Sequence, residues 1–288
     1  MTLYCLGSIN ADHVYAVPHL PAPGETLAAT GLTRGLGGKG ANQSVAAARA
    51  GARVVHIGAV GADGGWAVQR LAGFGVETDH IATCDAPTGH AIINVAPDGE
   101  NAIVILPGAN ICQDPDRIAA ALAGAGPGDT LLLQNETSHQ AEAAALASAR
   151  GLRVIYSAAP FALDALRAVL PHVSLVALNA VEAAQMRAAL GSVGGAELVV
   201  TDGARGAVWH HGGQSLSVAA FPVVPVDTTG AGDCFIGSLA AALDRGLSRQ
   251  DALRYAAAAA ALQVTRPGTA DAMPSRAQVE ALLAGSLP

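Results

Sequence analysis

Asp227-Thr228-Thr229-Gly230-Ala231-Gly232-Asp233 is the stretch from which the fold can be read. It follows Phe221-Pro-Val-Val-Pro-Val226, which reads as β-like, and it leads into an apolar helical run over residues 234–243. A Gly-rich turn therefore feeds a helix start, where main-chain N–H groups lack intrahelical partners and the helix dipole adds positive potential. Such a turn binds an anion without any cationic side chain. Gly230 and Gly232 let a phosphate come close to the main chain. Asp233 then sets a carboxylate beside that anion. Like charges repel, so the pairing is odd for a pure binding loop. It makes sense where the carboxylate takes a proton from a hydroxyl that attacks phosphorus. The plainer reading, an acidic residue favoured by the dipole in the first turn of an ordinary helix, fits these seven residues equally well.

Composition narrows the setting. The chain has 288 residues, 51% of them apolar and 14% charged, which suits one large domain over 1–288 with a small appendage. No apolar run approaches the roughly 18 residues of a membrane span. The N-terminus enters a strand at residues 3–9 with no basic region before it, so a cytoplasmic protein is expected. Cys5, Cys84, Cys112 and Cys234 lack metal-type spacing and read as reduced core residues. A net charge of −7 argues against nucleic acid. It also means that a polyanionic substrate must be held locally, by amides, a metal or a few arginines. Among 16 Lys plus Arg, Lys39 is the single lysine, and it sits inside Gly37-Gly38-Lys39-Gly40. A lysine surviving so strong a bias toward arginine suggests a task for a compact ammonium rather than a planar fork.

In chain order, residues 3–9 read as a buried strand ending at Asn10-Ala11-Asp12, and residues 13–17 and 26–33 as strands that leave the main sheet. Asn10 and Asp12, two apart, point to one side and pair a donor with an acceptor for adjacent hydroxyls. Residues 34–43 open a helix over 41–50. Gly35, Gly37 and Gly40 match G-x-G-x-x-G, but they lie about thirty residues after the first strand instead of directly behind it. Gly40 also follows Lys39 where a Walker loop has Ser or Thr. The segment is better read as a loop bringing backbone, Lys39 and Asn42 to a hydroxylated ligand. Segments around 79–84, 88–96 and 101–106, the last two split by Pro97-Asp98-Gly99, join residues 13–34 in a small β-sheet. From residue 114 onward strands (130–134, 153–157, 174–178, 198–201) alternate with helices, the rhythm of a parallel sheet with right-handed crossovers. A hairpin over 207–218 and helices at 231–245, 248–264 and 275–284 close the chain.

Polar groups gather where these strands end, the edge at which open α/β sheets bind ligands. They are Asn10 and Asp12, Asn135 and Glu136, Asn179 and Glu182, residues 201–206, and 227–233. Asn179-x-x-Glu182 is either a helix-capping box or an Asn near phosphate with a Glu that orients Mg²⁺ through water.

Gly7-Ser-Ile-Asn-Ala-Asp12, Gly37-Gly-Lys-Gly-Ala-Asn-Gln43, Asn179-x-x-Glu182 and 227–233 occur in one order, and by them the chain resembles the ribokinase family, the PfkB carbohydrate kinases. The first two motifs are closer to the ribokinase branch than to fructokinases or adenosine kinases. The resemblance implies a three-layer α/β/α fold with a central, mostly parallel sheet and a small β-sheet lid, here about 12–35 and 79–108, through which such kinases form homodimers. It implies transfer of the γ-phosphate of ATP to the terminal hydroxyl of a pentose, D-ribose above others, with another sugar or a nucleoside as the competing acceptor. By the same resemblance Asp233 is the base, and Gly230, Ala231 and Gly232 form the anion hole. Asn10, Asp12, Gly38, Lys39, Asn42 and Glu136 bind the sugar. Asn179, Thr201, Gly203, Arg205 and Gly206, with Gly232, bind ATP, and Glu182 serves Mg²⁺. A monovalent cation, usually K⁺, is held by Asp227 and by main-chain oxygens of Thr229, Gln263, Arg266, Gly268 and Ala272. Ala272 stands where Ser is frequent, and Ala257 where Asn or His is frequent beside the adenine. A non-catalytic sugar or nucleotide sensor and an NAD-dependent oxidoreductase are the rival classes. The intact Asp233 opposes the first, and the displaced glycines oppose the second.

Overall fold

A computed structural model describes residues 1–285. Its main sheet has nine strands in the order β13-β12-β11-β10-β9-β8-β1-β4-β5. These are β1 (Thr2–Leu6), β4 (Arg53–Gly61), β5 (Val76–Cys84), β8 (Thr130–Gln134), β9 (Arg153–Ser157), β10 (Leu175–Asn179), β11 (Glu197–Thr201), β12 (Ala207–His211) and β13 (Gln214–Val218). All pairings from β5 through β11 are parallel, and the hairpin β12–β13 adds an antiparallel edge. The central strands β1, β8, β9 and β10 are short, nearly buried runs because both faces are covered. Leu131 and Leu133 of β8 pack with Ile118, Ala144, Leu166 and Met186 from α3 (Pro115–Ala121), α4 (Gln140–Ala149), α5 (Leu163–Val169) and α6 (Ala180–Leu190). Leu132, between them, faces the opposite layer. That layer holds α1 (Lys39–Arg49), α2 (Gly65–Gly73), α7 (Ala231–Asp244), α8 (Arg249–Gln263) and α9 (Arg276–Leu283). Alanines fill α7 and α8 where they bury each other, and the absence of long side chains lets these helices approach closely. No helix among the described residues is long and apolar enough to cross a membrane.

A second sheet of four strands has the order β3-β2-β6-β7, with β2 (Asn10–Ala16), β3 (Gly31–Gly37), β6 (Gly89–Val95) and β7 (Asn101–Leu106). The expectation for residues 3–9 needs correction: β1 stops at Leu6, and Asn10 and Asp12 lie on the first strand of the small sheet rather than at the end of β1. The strand expected at 26–33 is shifted to Gly31–Gly37. Residues 79–84 are not part of the lid. They belong to β5, which pairs in parallel with β4 at the edge of the main sheet. An edge strand with one covered face alternates just as a lid strand does, so the pattern alone does not separate the two. Residues 221–225 form no strand. Pro222 and Pro225 remove two ladder donors, and the chain there is tied instead by the Val226 and Asp227 N–H groups, both donating to the Val264 carbonyl.

Candidate active site

Helix α7 starts at Ala231 behind Gly230, which takes φ 80°, a conformation costly for any residue with a Cβ. Asp233, in the first turn, is 8% exposed. Its Oδ2 accepts the Asn42 amide at 3.0 Å and its Oδ1 accepts the Gln43 amide at 2.9 Å. The Gln43 carbonyl in turn accepts from the Gln134 amide at 2.8 Å. Two neutral amides therefore aim the carboxylate, and no cation is bonded to it. Burial pulls the pKa of the nearby Lys39 ammonium down, but the carboxylates of Asp233, Glu136 and Glu182 outweigh burial and hold it above its ordinary value. Lys39 thus stays charged.

The first turn of α1 owes its place to glycine. A Cβ on Gly40 would lie 2.4 Å from Gly7, so only a pair of glycines lets the start of α1 lie on the end of β1. The Ala41 N–H donates to the Ser8 carbonyl at 2.8 Å. The Ser8 hydroxyl donates to Glu136, whose Oε2 also accepts the Lys39 N–H at 3.1 Å. Glu136 follows β8, so the loop between β3 and α1 is clamped at the point where strand order reverses around β1. Of Gly35, Gly37 and Gly40 only Gly40 serves this crossing, since Gly37 lies against Asp12 and Gly35 has open space around it, and no dinucleotide loop follows β1.

Asn10 and Asp12 share a face of β2 as their spacing requires. The Asn110 amide donates to the Asn10 carbonyl oxygen at 2.8 Å, and Asn110 Oδ1 accepts the Ile9 N–H at 2.9 Å. The Asp12 carboxyl lies against Gly37, where a Cβ would come within 1.9 Å of it. Burial first, then the carboxylates of Glu136 and Asp233, push the Asp12 carboxyl from 3.8 up to about 7.

Below this, a cleft of about 220 Å³ opens at the C-terminal ends of β9, β10 and β11. Lys39, Asn179, Glu182, Thr201, Gly230, Ala231, Gly232 and Asp233 all line it. A Cβ on Gly232 would meet nothing within 4 Å, so the turn faces open space. Asn179 and Glu182 form a full capping box on α6, with Glu182 Oε2 accepting the Asn179 N–H at 2.8 Å and Asn179 Oδ1 accepting the Glu182 N–H at 2.9 Å. Gly203, Arg205 and Gly206 follow Thr201 but lie outside the cleft lining, and Arg205 is paired with Asp202. A larger cavity, about 280 Å³, lies at the other end of the strands around Arg153, Glu197, Trp209 and Arg249, and shares no residue with the cleft.

Behind the 227–233 turn four of the six expected cation ligands, Asp227 and the main-chain carbonyls of Thr229, Gln263 and Gly268, already accept protein donors. Asp227 accepts the N–H groups of Thr229 at 2.9 Å and Gly268 at 3.0 Å. Burial raises its pKa, yet these two bonds outweigh it and keep the carboxyl below its ordinary value. The Gln263 side-chain amide donates to the carbonyls of Thr229, at 2.8 Å, and Gly268, at 3.1 Å. The Gln263 carbonyl accepts the Arg266 N–H at 3.1 Å, and Ala272 bonds through its N–H to Thr269.

Comparison with known proteins agrees with this geometry. Residues 2–276 match the profile of the pfkB family carbohydrate kinases. The chain belongs to that family. It is a phosphotransferase with an alcohol group as acceptor. Over 96% of each chain the kinase is 38% identical to the ribokinase of Haemophilus influenzae. Its fold superposes on the ribokinase of Arabidopsis thaliana, a structure complexed with ribose and ATP, with a TM-score of 0.87, 30% identity and 98% of both chains covered. The ribokinase of Cryptococcus neoformans, in complex with ADP, gives a TM-score of 0.82 at 31% identity, over 97% of this chain and 98% of the other.

Three side chains of this kinase site carry structure that sequence reasoning left without a role. Gln43, the last residue of the Gly37–Gln43 motif, holds Asp233. Gln134 holds Gln43 and Asn110 holds Asn10, and both partners are remote in sequence. A weak signal existed: Gln134 closes an otherwise apolar strand and is fully buried, and a buried amide needs a partner.

Proposed function

We propose that the chain is an ATP-dependent ribokinase, transferring the γ-phosphate to the terminal hydroxyl of D-ribose to give ribose 5-phosphate. The observation that carries this reading is the placement of Asp233. Its carboxylate is gripped by Asn42 and Gln43 from the sugar side and stands one residue from the Gly232 amide in a cleft that also holds Lys39, Asn179 and Glu182. The relatives named above, with ribose, ATP and ADP in their structures, support the same acceptor and donor.

In this mechanism Asn10, Asp12, Gly38, Lys39, Asn42 and Glu136 hold the sugar hydroxyls, and the small sheet closes over them and excludes water. Asp233 accepts the hydroxyl proton as the oxygen attacks phosphorus. The N–H groups of Gly230 and Gly232, at the positive end of α7, take up charge on the transferring group, while the N–H of Ala231 between them donates to the Thr228 carbonyl at 3.2 Å. Asn179 and Thr201 face the nucleotide, with the loop of Gly203, Arg205 and Gly206 beside them. Glu182 fits Mg²⁺: such ions keep several waters and take one or two carboxylates with substrate phosphates, and the capping bond occupies only Oε2. Bound there, Mg²⁺ would neutralise phosphate charge. No step here runs through a monovalent cation: Asp227 and the main-chain carbonyls of Thr229 and Gly268 already have protein donors.

The outer strand of the small sheet supports a homodimer. Ile103, Val104, Ile105 and Leu106 of β7 are 52%, 69%, 56% and 44% exposed, a long apolar edge that a monomer leaves open. Four free cysteines and a need for ATP fit the cytoplasm. The test is ADP release measured across pentoses, hexoses and nucleosides. Ribose is expected to give the highest kcat/KM, and a nucleoside or hexose in first place would reassign the acceptor.

A further inference from the structure

The Gln263 side chain, which binds behind the turn, has no part in the transfer step described above. It is the last residue of α8 and is fully buried. An NH₂ group has two hydrogens, and both are spent, on the carbonyls of Thr229 at 2.8 Å and Gly268 at 3.1 Å. The opposite orientation of the amide would press Oε1 against those two carbonyl oxygens, so the partners fix which end faces the turn. Oε1 is buried without any partner, which shows that the side chain is placed by what its nitrogen reaches.

We propose that the Gln263 carboxamide takes the place of the monovalent cation in this chain, and that phosphoryl transfer here needs no K⁺. A cation behind the turn would have to neutralise Asp227 and gather carbonyl oxygens around it. Here Asp227 is satisfied by the Thr229 and Gly268 N–H groups, and the carbonyls of the same two residues are satisfied by Gln263. The loop therefore closes on itself through one amide. The effect on the cleft follows from peptide geometry. Across a trans peptide the C=O and the next N–H point in opposite directions. Holding the Thr229 carbonyl from behind turns the Gly230 N–H the other way, toward the cleft that Gly230 lines. Gln263 is thus a positioning residue. A shorter side chain at 263 could not reach either carbonyl, and would leave a space with oxygen atoms on its walls.

This inference rests on the phosphoryl-transfer reading for its kinetic arm only. The test compares wild type with Gln263→Ala in tetramethylammonium, Na⁺ and K⁺ buffers, by melting temperature and by ribose-dependent ADP release. Wild type is expected to show the same melting temperature and kcat in K⁺ as in tetramethylammonium. Gln263→Ala is expected to lose roughly tenfold in kcat without K⁺, with the KM for ribose kept. K⁺, and not Na⁺, is expected to restore that kcat and to raise the melting temperature of the variant, which a purely structural defect would not show. A K⁺-specific rise in the wild-type melting temperature, or saturable K⁺ activation of wild type, overturns the proposal. So does a variant with full kcat in tetramethylammonium. If Gln263→Ala does not fold, the wild-type arm decides alone. If no acceptor yields ADP, the melting temperatures still report cation binding, and the failure lies with the kinase reading.

Discussion

A general base must be aimed before it can act, and two side-chain amides that hold both oxygens of a carboxylate do so without adding a formal charge. This is the case for Asp233, whose oxygens face Asn42 and Gln43. Asp233→Asn is expected to cut kcat by roughly 10²–10⁴ with ribose binding largely kept, read from steady-state kinetics beside a binding isotherm. An Asn variant with near-normal turnover would remove Asp233 from the role of base. Asp12 gives a second prediction, in pH. In the unfolded chain its carboxyl titrates near the usual carboxylate value, whereas in the fold it titrates at about 7. The folded protein therefore binds the extra proton, and the stability tied to it is full at acid pH and lost as pH rises through about 7. Asp12→Asn, which cannot ionise, is expected to be more stable than wild type by on the order of 1–3 kcal/mol at alkaline pH and by nothing at acid pH. Thermal melts of the two proteins without sugar, across pH, check this. At this scale the role proposed for Asp233 was legible because a charge beside an anion cradle calls for an explanation. That of Gln43 was not, since an amide on a helix face carries no such conflict and its partner is distant in sequence.

Elements met their expectations where each faces a single environment. Strands β8 and β9 and helix α6 fall where apolar runs and caps place them. Two of the misplacements are at changes of sheet: the break between β1 and β2, and the assignment of β5. Both arise because a continuous apolar or alternating pattern says how a strand is buried but not against what. Two glycines separate fold from site in a way that can be tested. Gly40→Ala would drive a Cβ into Gly7 and is expected to cost roughly 1–3 kcal/mol of stability, measured by denaturant melts. Gly232→Ala has room in the protein and is expected to leave the melt nearly unchanged while lowering kcat/KM for ATP, because the methyl group occupies the open side of the turn. Equal destabilisation by both would mean that the turn is structural only.

The whole molecule is a parallel slab that carries its binding edge on one side and a small sheet over it. The three-layer fold was legible from the alternation of elements, because helical crossovers force parallel strands to end at one edge. Which groups touch was not, for that depends on the close crossing of α1 over β1. The exposed edge of β7 belongs to this scale. Ile103→Lys with Ile105→Lys is expected to convert a dimer into a monomer in light-scattering mass measurements. A wild type already monomeric at high concentration would show that the edge is not an interface. The strand β3 passes through Gly37 and Gly38 straight into α1, whose first turn carries both amides that grip Asp233. Evolution of a new acceptor preference on this scaffold is therefore channelled: β2 and β6 are open to rewriting, whereas any drift in β3 disturbs the chemistry together with the taste for substrate.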